Sequence, residues 1–266
     1  MHLFLIGIRY NKTERKRGEF MFGNEGKLFE WYGSSHLTVV FILLSGVILL
    51  FTMRKKNVIE KRNVRKIEKL IACSLLIIES LYYVWAVKSG IFSVKYSLPL
   101  ELCSFSLYAS ILLLWTNNEK LYPFVFFSGI GGAIQAIFTP ALEFDFPHFR
   151  FFHFFYLHLG IIFTALYFTW VKRMRPTFKT LLASFLTLNV LALTVSIVNY
   201  AIDANYMFLK SKPVDGSLLD YLGPYPYYIF VLEFVAFMMF ILLWLLFRKP
   251  TSKIKRSEEI NKFQLS

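Results

Sequence analysis

Seven apolar runs divide this 266-residue chain at almost regular intervals. A helix that crosses the hydrocarbon core of a bilayer needs about 20 mostly apolar residues, and its backbone polar groups must bond within the segment. Each run approaches this length, and only Glu79, Glu101 and Glu233 place a charge inside one. The pattern predicts an all-α polytopic membrane protein, a bundle of seven transmembrane helices. The predicted spans are Leu37–Met53, Leu70–Val87, Leu98–Trp115, Leu121–Phe138, Phe151–Val171, Leu181–Ile202 and Pro226–Phe247.

The distribution of Lys and Arg predicts the orientation, because loops on the cytoplasmic side are enriched in these residues. From Met21 onward, seven spans with the start outside put 19 Lys and Arg on the inner side and 6 on the outer side. The fourth run is the weakest, since it is short and carries Pro123 and three glycines, and a re-entrant loop is its alternative. Without that crossing the split becomes 12 inside and 13 outside. We therefore expect a multi-pass protein of the cell membrane, with its N-terminus outside and its C-terminus in the cytoplasm.

The two ends of the chain differ from its middle. We expect an N-terminal tail over residues 1–30, a seven-helix domain over 31–247 and a basic cytoplasmic tail over 248–266. Five basic residues precede Met21 on a side that should hold few. The codons for Lys16–Glu19 can form a purine-rich sequence like a ribosome-binding site just before a start codon. We therefore expect translation to start at Met21 and residues 1–20 to be untranslated. A disordered basic tail is the alternative.

Charge and cysteine content exclude several classes of protein. The net charge of +13 does not indicate nucleic-acid binding, because the basic residues lie beside apolar runs, where topology signals belong. Cys73 and Cys103 fall near opposite faces of the predicted bundle, so a disulfide between them is not expected. No Cys/His spacing resembles a zinc site, and we expect neither a metal nor a cofactor. The expected partner is a membrane phospholipid, whereas the oligomeric state cannot be predicted.

Polar residues inside the predicted spans gather at one depth. Such residues are costly in a bilayer and usually face the interior of the bundle. Counted along the helices at about 1.5 Å per residue, most of them fall in the outer half, with Glu79 near mid-membrane as the exception. This convergence predicts a polar cavity that opens outward, while the second and fourth spans serve structural roles. The residues expected to line it together are Cys103, His158, Asn199 and Glu233.

Three functions are open at this point. A cysteine and a histidine at similar depth can act as nucleophile and base, and depth alone favours His153 as the partner of Cys103. A cysteine in an apolar helix is more often a packing residue, however, and a histidine in a membrane is more often structural. The intramembrane carboxylates Glu79, Glu101 and Glu233 suit a transporter of protons, ions or small solutes, although no inverted repeat is present. A non-catalytic membrane scaffold is the third possibility.

Several motifs carry a family resemblance. They are Gly33–His36, Leu98–Cys103 (LPLELC), Phe146–Phe152 (FPHFRFF), Asn205–Leu209 (NYMFL) and Leu219–Pro226 (LDYLGPYP). From about Gly33 onward the chain resembles the YwaF-like family of bacterial integral membrane proteins. That family is similar to the eukaryotic transmembrane protein 164 family, which is described as a cysteine-dependent acyltransferase that remodels phospholipids.

The resemblance implies a membrane lipid acyltransferase or transacylase. Cys103 matches the position of the family's acyl-accepting cysteine, and His158 fits the downstream histidine motif better than His153. Asn205 and Tyr206 match an Asn-Tyr pattern at the outer end of the sixth span. Glu101 departs from the pattern, which has a basic or neutral residue there. The implied catalytic residues are Cys103 and His158, and the candidates for substrate binding are Asn199, Asn205, Tyr206, Glu101, His153 and Glu233.

Overall fold

The computed structural model describes residues 26–54, 61–212 and 218–248, and nearly all of its secondary structure is helical. Within these ranges the one β-type contact is an isolated bridge between Leu28 and Phe144. The predicted all-α fold is confirmed, whereas the predictions for residues 1–20 and for the tail beyond Arg248 lie outside the described residues. The helices are α1 (Ser34–Met53), α2 (Lys61–Lys88), α3 (Leu102–Thr116), α4 (Tyr122–Phe138), α5 (Phe149–Trp170), α6 (Phe178–Ile202) and α7 (Tyr227–Phe247).

Five of these helices, α1, α2, α5, α6 and α7, are long and apolar enough to cross a bilayer. The shorter apolar helices α3 and α4 lie between α2 and α5 along the chain. Helix α3 begins at Leu102, four residues later than predicted. Pro99 disfavours a helical conformation at Leu98. The Leu100 N–H instead donates to the Leu98 carbonyl at 2.8 Å, which forms a tight turn.

Helix α4 crosses the bundle rather than turning back within it. Ile137, near its last residue, lies beside the start of α1, where its carbonyl accepts a hydrogen bond from His36 Nε2 at 2.8 Å. Tyr122, its first residue, lies at the far end of the bundle, where its hydroxyl is 2.9 Å from the Thr169 hydroxyl near the end of α5. The re-entrant loop considered for this segment is therefore wrong.

The other helix ends follow the same alternation. Arg65, near the start of α2, donates to the Trp115 carbonyl near the end of α3 at 2.7 Å. On the opposite side of the bundle, Ser35 in the first turn of α1 donates to Asp145, which lies in the segment that leads into α5. We name these sides the Trp115 end and the Asp145 end. The seven helices run alternately between them.

A buried carboxylate joins three helices at the Trp115 end. Glu68 of α2 is 2% exposed. Its Oε1 accepts hydrogen bonds from the Tyr167 hydroxyl and from Lys172 Nζ, both at 2.6 Å. Its Oε2 accepts one from Asn117 Nδ2 at 3.0 Å and pairs with Arg65. Donors from four residues thus satisfy the charge of one side chain, as burial of a carboxylate requires.

Close packing around α4 depends on its glycines and on a π-helical turn, Val125–Gly129, whose five residues are all buried. A Cβ added to Gly129 would lie 2.8 Å from Ile161 Cγ2 of α5, which is too close for any larger residue without a shift. Because protein surrounds this part of α4, its length need not match the lipid thickness. The interpretation of the glycines as a close-packing face is confirmed.

Helices α6 and α7 form a hairpin with a largely exposed surface. The rings of Phe178, at the start of α6, and Trp244, near the end of α7, have centroids 5.4 Å apart. Midway along the pair, Asn189 Nδ2 donates to Glu233 Oε2 at 3.0 Å. Most side chains on the outer faces of both helices are apolar and exposed, as lipid-facing residues are.

Candidate functional site

A cleft opens between α2, α3 and α5 in the half of the bundle nearest the Asp145 end. Its volume is about 40 Å³, which is room for a few water molecules. The segment that precedes α3 forms its rim, and aromatic and aliphatic side chains make up much of its lining. The lining residues that carry polar or reactive groups include Glu79, Cys103, Ser104, Arg150, His153 and His158.

Cys103 is the second residue of α3, and its side chain lines this cleft. Its sulfur also faces α4, because a Cβ added to Gly132 would lie 3.4 Å from Cys103 Sγ. The glycine therefore leaves room for the thiol between two helices. The other cysteine, Cys73, lies on α2 and does not line the cleft.

His158 lies two turns into α5 and is 6% exposed. Its Nδ1 is 2.6 Å from the Phe154 carbonyl oxygen, which can only accept a hydrogen bond, so Nδ1 carries the proton in the neutral ring. Nε2 is then the unprotonated nitrogen, and it has no hydrogen-bond partner among the described residues. No hydrogen bond joins it to Cys103 in this structure, although both side chains line the same cleft.

His153, one and a half turns earlier on α5, is engaged through both ring nitrogens. Arg150 Nη1 lies 3.0 Å from His153 Nδ1, and a guanidinium can only donate, so Nδ1 is the acceptor. The proton therefore sits on Nε2, which donates to Glu79 Oε2 at 3.0 Å. The histidine is 6% exposed and the carboxylate 5% exposed. We refer to Glu79, His153 and Arg150 as the relay.

Aromatic rings support the relay. The Tyr82 ring stacks on the His153 ring with centroids 4.6 Å apart, and the Arg150 guanidinium lies 4.6 Å from the centre of the same Tyr82 ring. A cation over an aromatic face is stabilised by the ring quadrupole, and more so when water is excluded. The relay therefore ties α2 to α5 beside the cleft with a fixed pattern of donors and acceptors.

A model of the TMEM164 family matches residues 31–244, which is most of the chain. The chain belongs to the TMEM164 family. No curated protein and no solved structure matches it. As a TMEM164 family member with five helices of spanning length, it is a multi-pass membrane protein, and the predicted resemblance is confirmed at the family level.

The TMEM164 match includes the loop after α6, in which Tyr206 holds the rim of the cleft. The Tyr206 hydroxyl donates to the Val94 carbonyl at 2.7 Å and accepts from the Leu98 N–H at 2.8 Å. Burial raises the pKa of Tyr206 to about 12, so the hydroxyl stays a donor at neutral pH. Asn199 bonds to both backbone groups of Tyr206, at 2.8 and 2.9 Å. These residues position the segment before α3.

Two other candidates from the sequence also bond to backbone. Glu101 Oε2 accepts the Met207 N–H at 2.9 Å, which fastens the N-terminus of α3 to the same loop. Asn205 Oδ1 accepts the N–H groups of Lys210 and Ser211 at 3.0 and 3.1 Å. Their polar atoms therefore organise the loop after α6 of this TMEM164 protein.

The expectation of one common pocket needs correction. The cleft brings Cys103 and His158 together, but Asn199 and Glu233 do not line it. Asn199 is directed to the loop, and Glu233 lies in the α6–α7 hairpin. The expectation that α2 is merely structural is also wrong, since Glu79 and the two tyrosines after it line the cleft. A carboxylate in a membrane helix needs a partner, and that requirement is the signal that could have identified the relay.

Proposed function

We propose that this protein is a membrane lipid acyltransferase or transacylase that carries the acyl group on Cys103. The observation that carries the proposal is the pairing, in one cleft, of a cysteine with a buried histidine, His158, whose Nε2 is an unprotonated nitrogen. Such a nitrogen can accept the thiol proton, and a cysteine with a base nearby is an effective nucleophile. Membership of the TMEM164 family supports the same proposal.

The proposed reaction has two half-reactions. In the first, His158 takes the thiol proton, and Cys103 Sγ attacks the ester carbonyl carbon of a phospholipid. The carbon–sulfur bond forms, the carbon–oxygen ester bond breaks, and the departing lysophospholipid oxygen receives the proton from His158. In the second, a lipid hydroxyl loses its proton to His158 and attacks the thioester, which returns the thiol. No oxidant or external co-reactant is needed.

His158 is preferred to His153 as the base because of their hydrogen bonds. Each nitrogen of His153 already has a partner in the relay, so accepting a proton there would require the loss of the bond from Arg150. The apo geometry leaves His158 and Cys103 without a direct hydrogen bond, and catalytic bonds of this kind often tighten only when substrate binds.

The transporter hypothesis loses support from the same geometry. Glu79 bonds to His153, Glu101 to the Met207 N–H and Glu233 to Asn189, so the three carboxylates line no common path through the described part of the bundle. A scaffold would have no need of a cysteine that shares a cleft with an unpartnered histidine nitrogen. We therefore assign the six substrate-binding candidates of the sequence mainly to positioning.

The proposal includes an orientation. The Asp145 end, and with it the cleft, faces the outside of the cell membrane, because the other side carries most of the Lys and Arg. The substrate would then be a phospholipid of the outer leaflet. A reporter fused to the C-terminus should be active only in the cytoplasm, and activity confined to the outside would overturn this orientation.

The decisive experiment detects the thioester. The purified protein is incubated with phosphatidylcholine that carries a fluorescent acyl chain, and the adduct is tested for release by hydroxylamine. The expected result is one hydroxylamine-sensitive label, retained in Cys73→Ser and absent in Cys103→Ser. Cys73 is a matched control because it is also partly buried in a membrane helix but lies away from the cleft. A label of equal yield in Cys103→Ser would exclude the proposed nucleophile.

A further inference from the structure

The N-terminus of α3 has no side-chain cap. Glu101 occupies the N-cap position, yet its side chain makes no capping hydrogen bond. Its carboxylate instead accepts the Met207 N–H of the loop after α6 at 2.9 Å. By contrast, α6 is closed by a capping box in which Thr177 and Thr180 satisfy each other's backbone N–H groups. The side chain at the N-cap position of α3 is thus directed to the loop after α6.

The first N–H groups of α3 therefore keep their donor capacity. The first backbone bond of this helix runs from the Phe105 N–H to the Glu101 carbonyl at 3.2 Å. The N–H groups of Leu102, Cys103 and Ser104 make no hydrogen bond to any other residue that the structure describes. Unsatisfied donors at a helix start carry the positive end of the helix dipole and favour a negative charge.

A second observation points to a ligand at this place. The side chains of Cys103 and Ser104 line the cleft, and so does His158, which is 6% exposed and keeps Nε2 without a partner. The residues that carry two free backbone donors, a thiol and, on the facing helix, a ring nitrogen without a partner thus line one small cleft. An ester carbonyl under attack needs this combination, because its oxygen becomes negative while a proton must be taken up.

We propose that the N–H groups of Cys103 and Ser104 form the oxyanion hole for acyl transfer, an inference that rests on the proposed function. When Cys103 Sγ bonds to the ester carbon, the π electrons of the carbonyl move to its oxygen, and the two N–H groups donate to that oxyanion. When the intermediate collapses, the electron pair returns, the ester oxygen leaves, and His158 supplies its proton. The same N–H groups stabilise the thiolate before the attack.

The local geometry suits this role. Backbone N–H groups at a nucleophile and at the residue after it are well placed for the carbonyl oxygen, because the attacking side chain starts from the same turn of helix. The donors are fixed by α3 and need no reorganisation. The bond between Glu101 and Met207 keeps the nearest carboxylate away from them, so nothing charged on α3 competes with the substrate oxygen for these donors.

The test removes the Ser104 N–H, and the ester also makes the Cys103 carbonyl a weaker acceptor within α3. Ser104 is replaced either by alanine or, through nonsense suppression, by lactic acid, which has the alanine side chain but an ester oxygen in place of the N–H. Acylation of Cys103 by the fluorescent phosphatidylcholine is followed in a single turnover. We expect the lactic acid protein to react about 10²- to 10³-fold more slowly than Ser104→Ala, as loss of one oxyanion donor typically causes. Both proteins should melt at similar temperatures, because this N–H bonds to no described residue.

Alkylation of Cys103 by iodoacetamide provides the second measurement, because it needs the thiolate but develops no oxyanion. The expected loss of alkylation rate is much smaller than the loss of acylation rate. Equal losses in the two reactions, or an acylation rate within threefold of Ser104→Ala, would overturn the oxyanion hole. If the unmodified protein forms no thioester at Cys103 at all, the proposed function fails first, and that result is distinct from either of these.

Discussion

Replacing each of the two buried histidines of α5 with alanine should separate catalysis from stability. His153 and His158 are both 6% exposed, so the space left by truncation is comparable and largely cancels between the two variants. What differs is their polar partners. His153 links Glu79 to Arg150 through two hydrogen bonds, whereas His158 bonds only to the Phe154 carbonyl of its own helix.

The magnitudes follow from these bonds. Hydrogen bonds between membrane helices average about 0.6 kcal/mol and reach about 1.7 kcal/mol. Only the bond to Glu79 joins two helices, but both partners of His153 carry a charge. Such bonds contribute about 1.5–3 kcal/mol each, so His153→Ala should lose at least about 3 kcal/mol more than the cavity alone costs. His158→Ala forfeits one neutral bond of about 0.5–1.5 kcal/mol. The acylation rate of His158→Ala should fall at least about 10²-fold, as loss of a general base typically causes.

Two assays decide the matter. Unfolding in detergent micelles titrated with sodium dodecyl sulfate gives the change in the free energy of unfolding, and single-turnover labelling by fluorescent phosphatidylcholine gives the rate. The expected pattern is a stable but slow His158→Ala and an unstable His153→Ala that, while folded, acylates within about tenfold of the parent protein. His158 was chosen as the base because its Nε2 has no hydrogen-bond partner. If fully folded His153→Ala loses as much acylation rate as His158→Ala, that choice is refuted.

Three further predictions concern buried and exposed charges. Glu68→Gln should lower the free energy of unfolding by about 3 kcal/mol, since an amide cannot accept from donors at both of its positions. The control is Glu30→Gln, which removes an exposed ion pair with Lys27 and should change that free energy by less than about 0.5 kcal/mol. Equal effects of the two substitutions would contradict the buried network around Glu68. Glu101→Leu should cost about 1–3 kcal/mol by leaving the Met207 N–H unsatisfied, and Glu101→Gln should cost less than half of that, which thermal melting checks. Two lysines hydrogen-bond to Asp203 and lower its pKa from 3.8 to about 2, so its contribution to stability is present above pH 4 and lost as the pH falls through 2; Asp203→Asn should flatten that part of the melting-temperature profile.

The helices could be predicted because lipid imposes one strong rule. Apolar runs of about 20 residues must be helical to satisfy their backbone, and the predicted spans agree with α1 to α7 at most ends. The exceptions have local causes. Helix α3 starts late because Pro99 and the turn at Leu100 interrupt it, and α2 extends back to Lys61 because polar residues outside the lipid can also be helical.

The cleft could be predicted only in part. Depth along a helix is readable from sequence, and it put Cys103 and His158 in the same half of the bundle. Rotation about each helix axis is set by packing against neighbours, so the hydrogen bond between Glu79 and His153 could not be predicted from the sequence. The path of the loop after α6 was equally hidden, and this loop is what takes up the polar atoms of Asn199 and Glu101.

The relay explains how a cleft with several buried polar groups can keep its shape within a membrane. Arg150 lies in the first turn of α5, where the helix dipole disfavours a cation, and the carboxylates of Glu79 and Glu143 help to balance its charge. His153 bonds to Arg150 of its own helix and to Glu79 of α2, so it restrains the distance between α2 and α5. That spacing holds His158 on the α5 wall while α3 presents Cys103 and its uncapped N–H groups. The acyl transfer that we propose would depend on such rigid support, because a shift of about 1 Å in the reacting groups of an enzyme can cost about 10²-fold in rate.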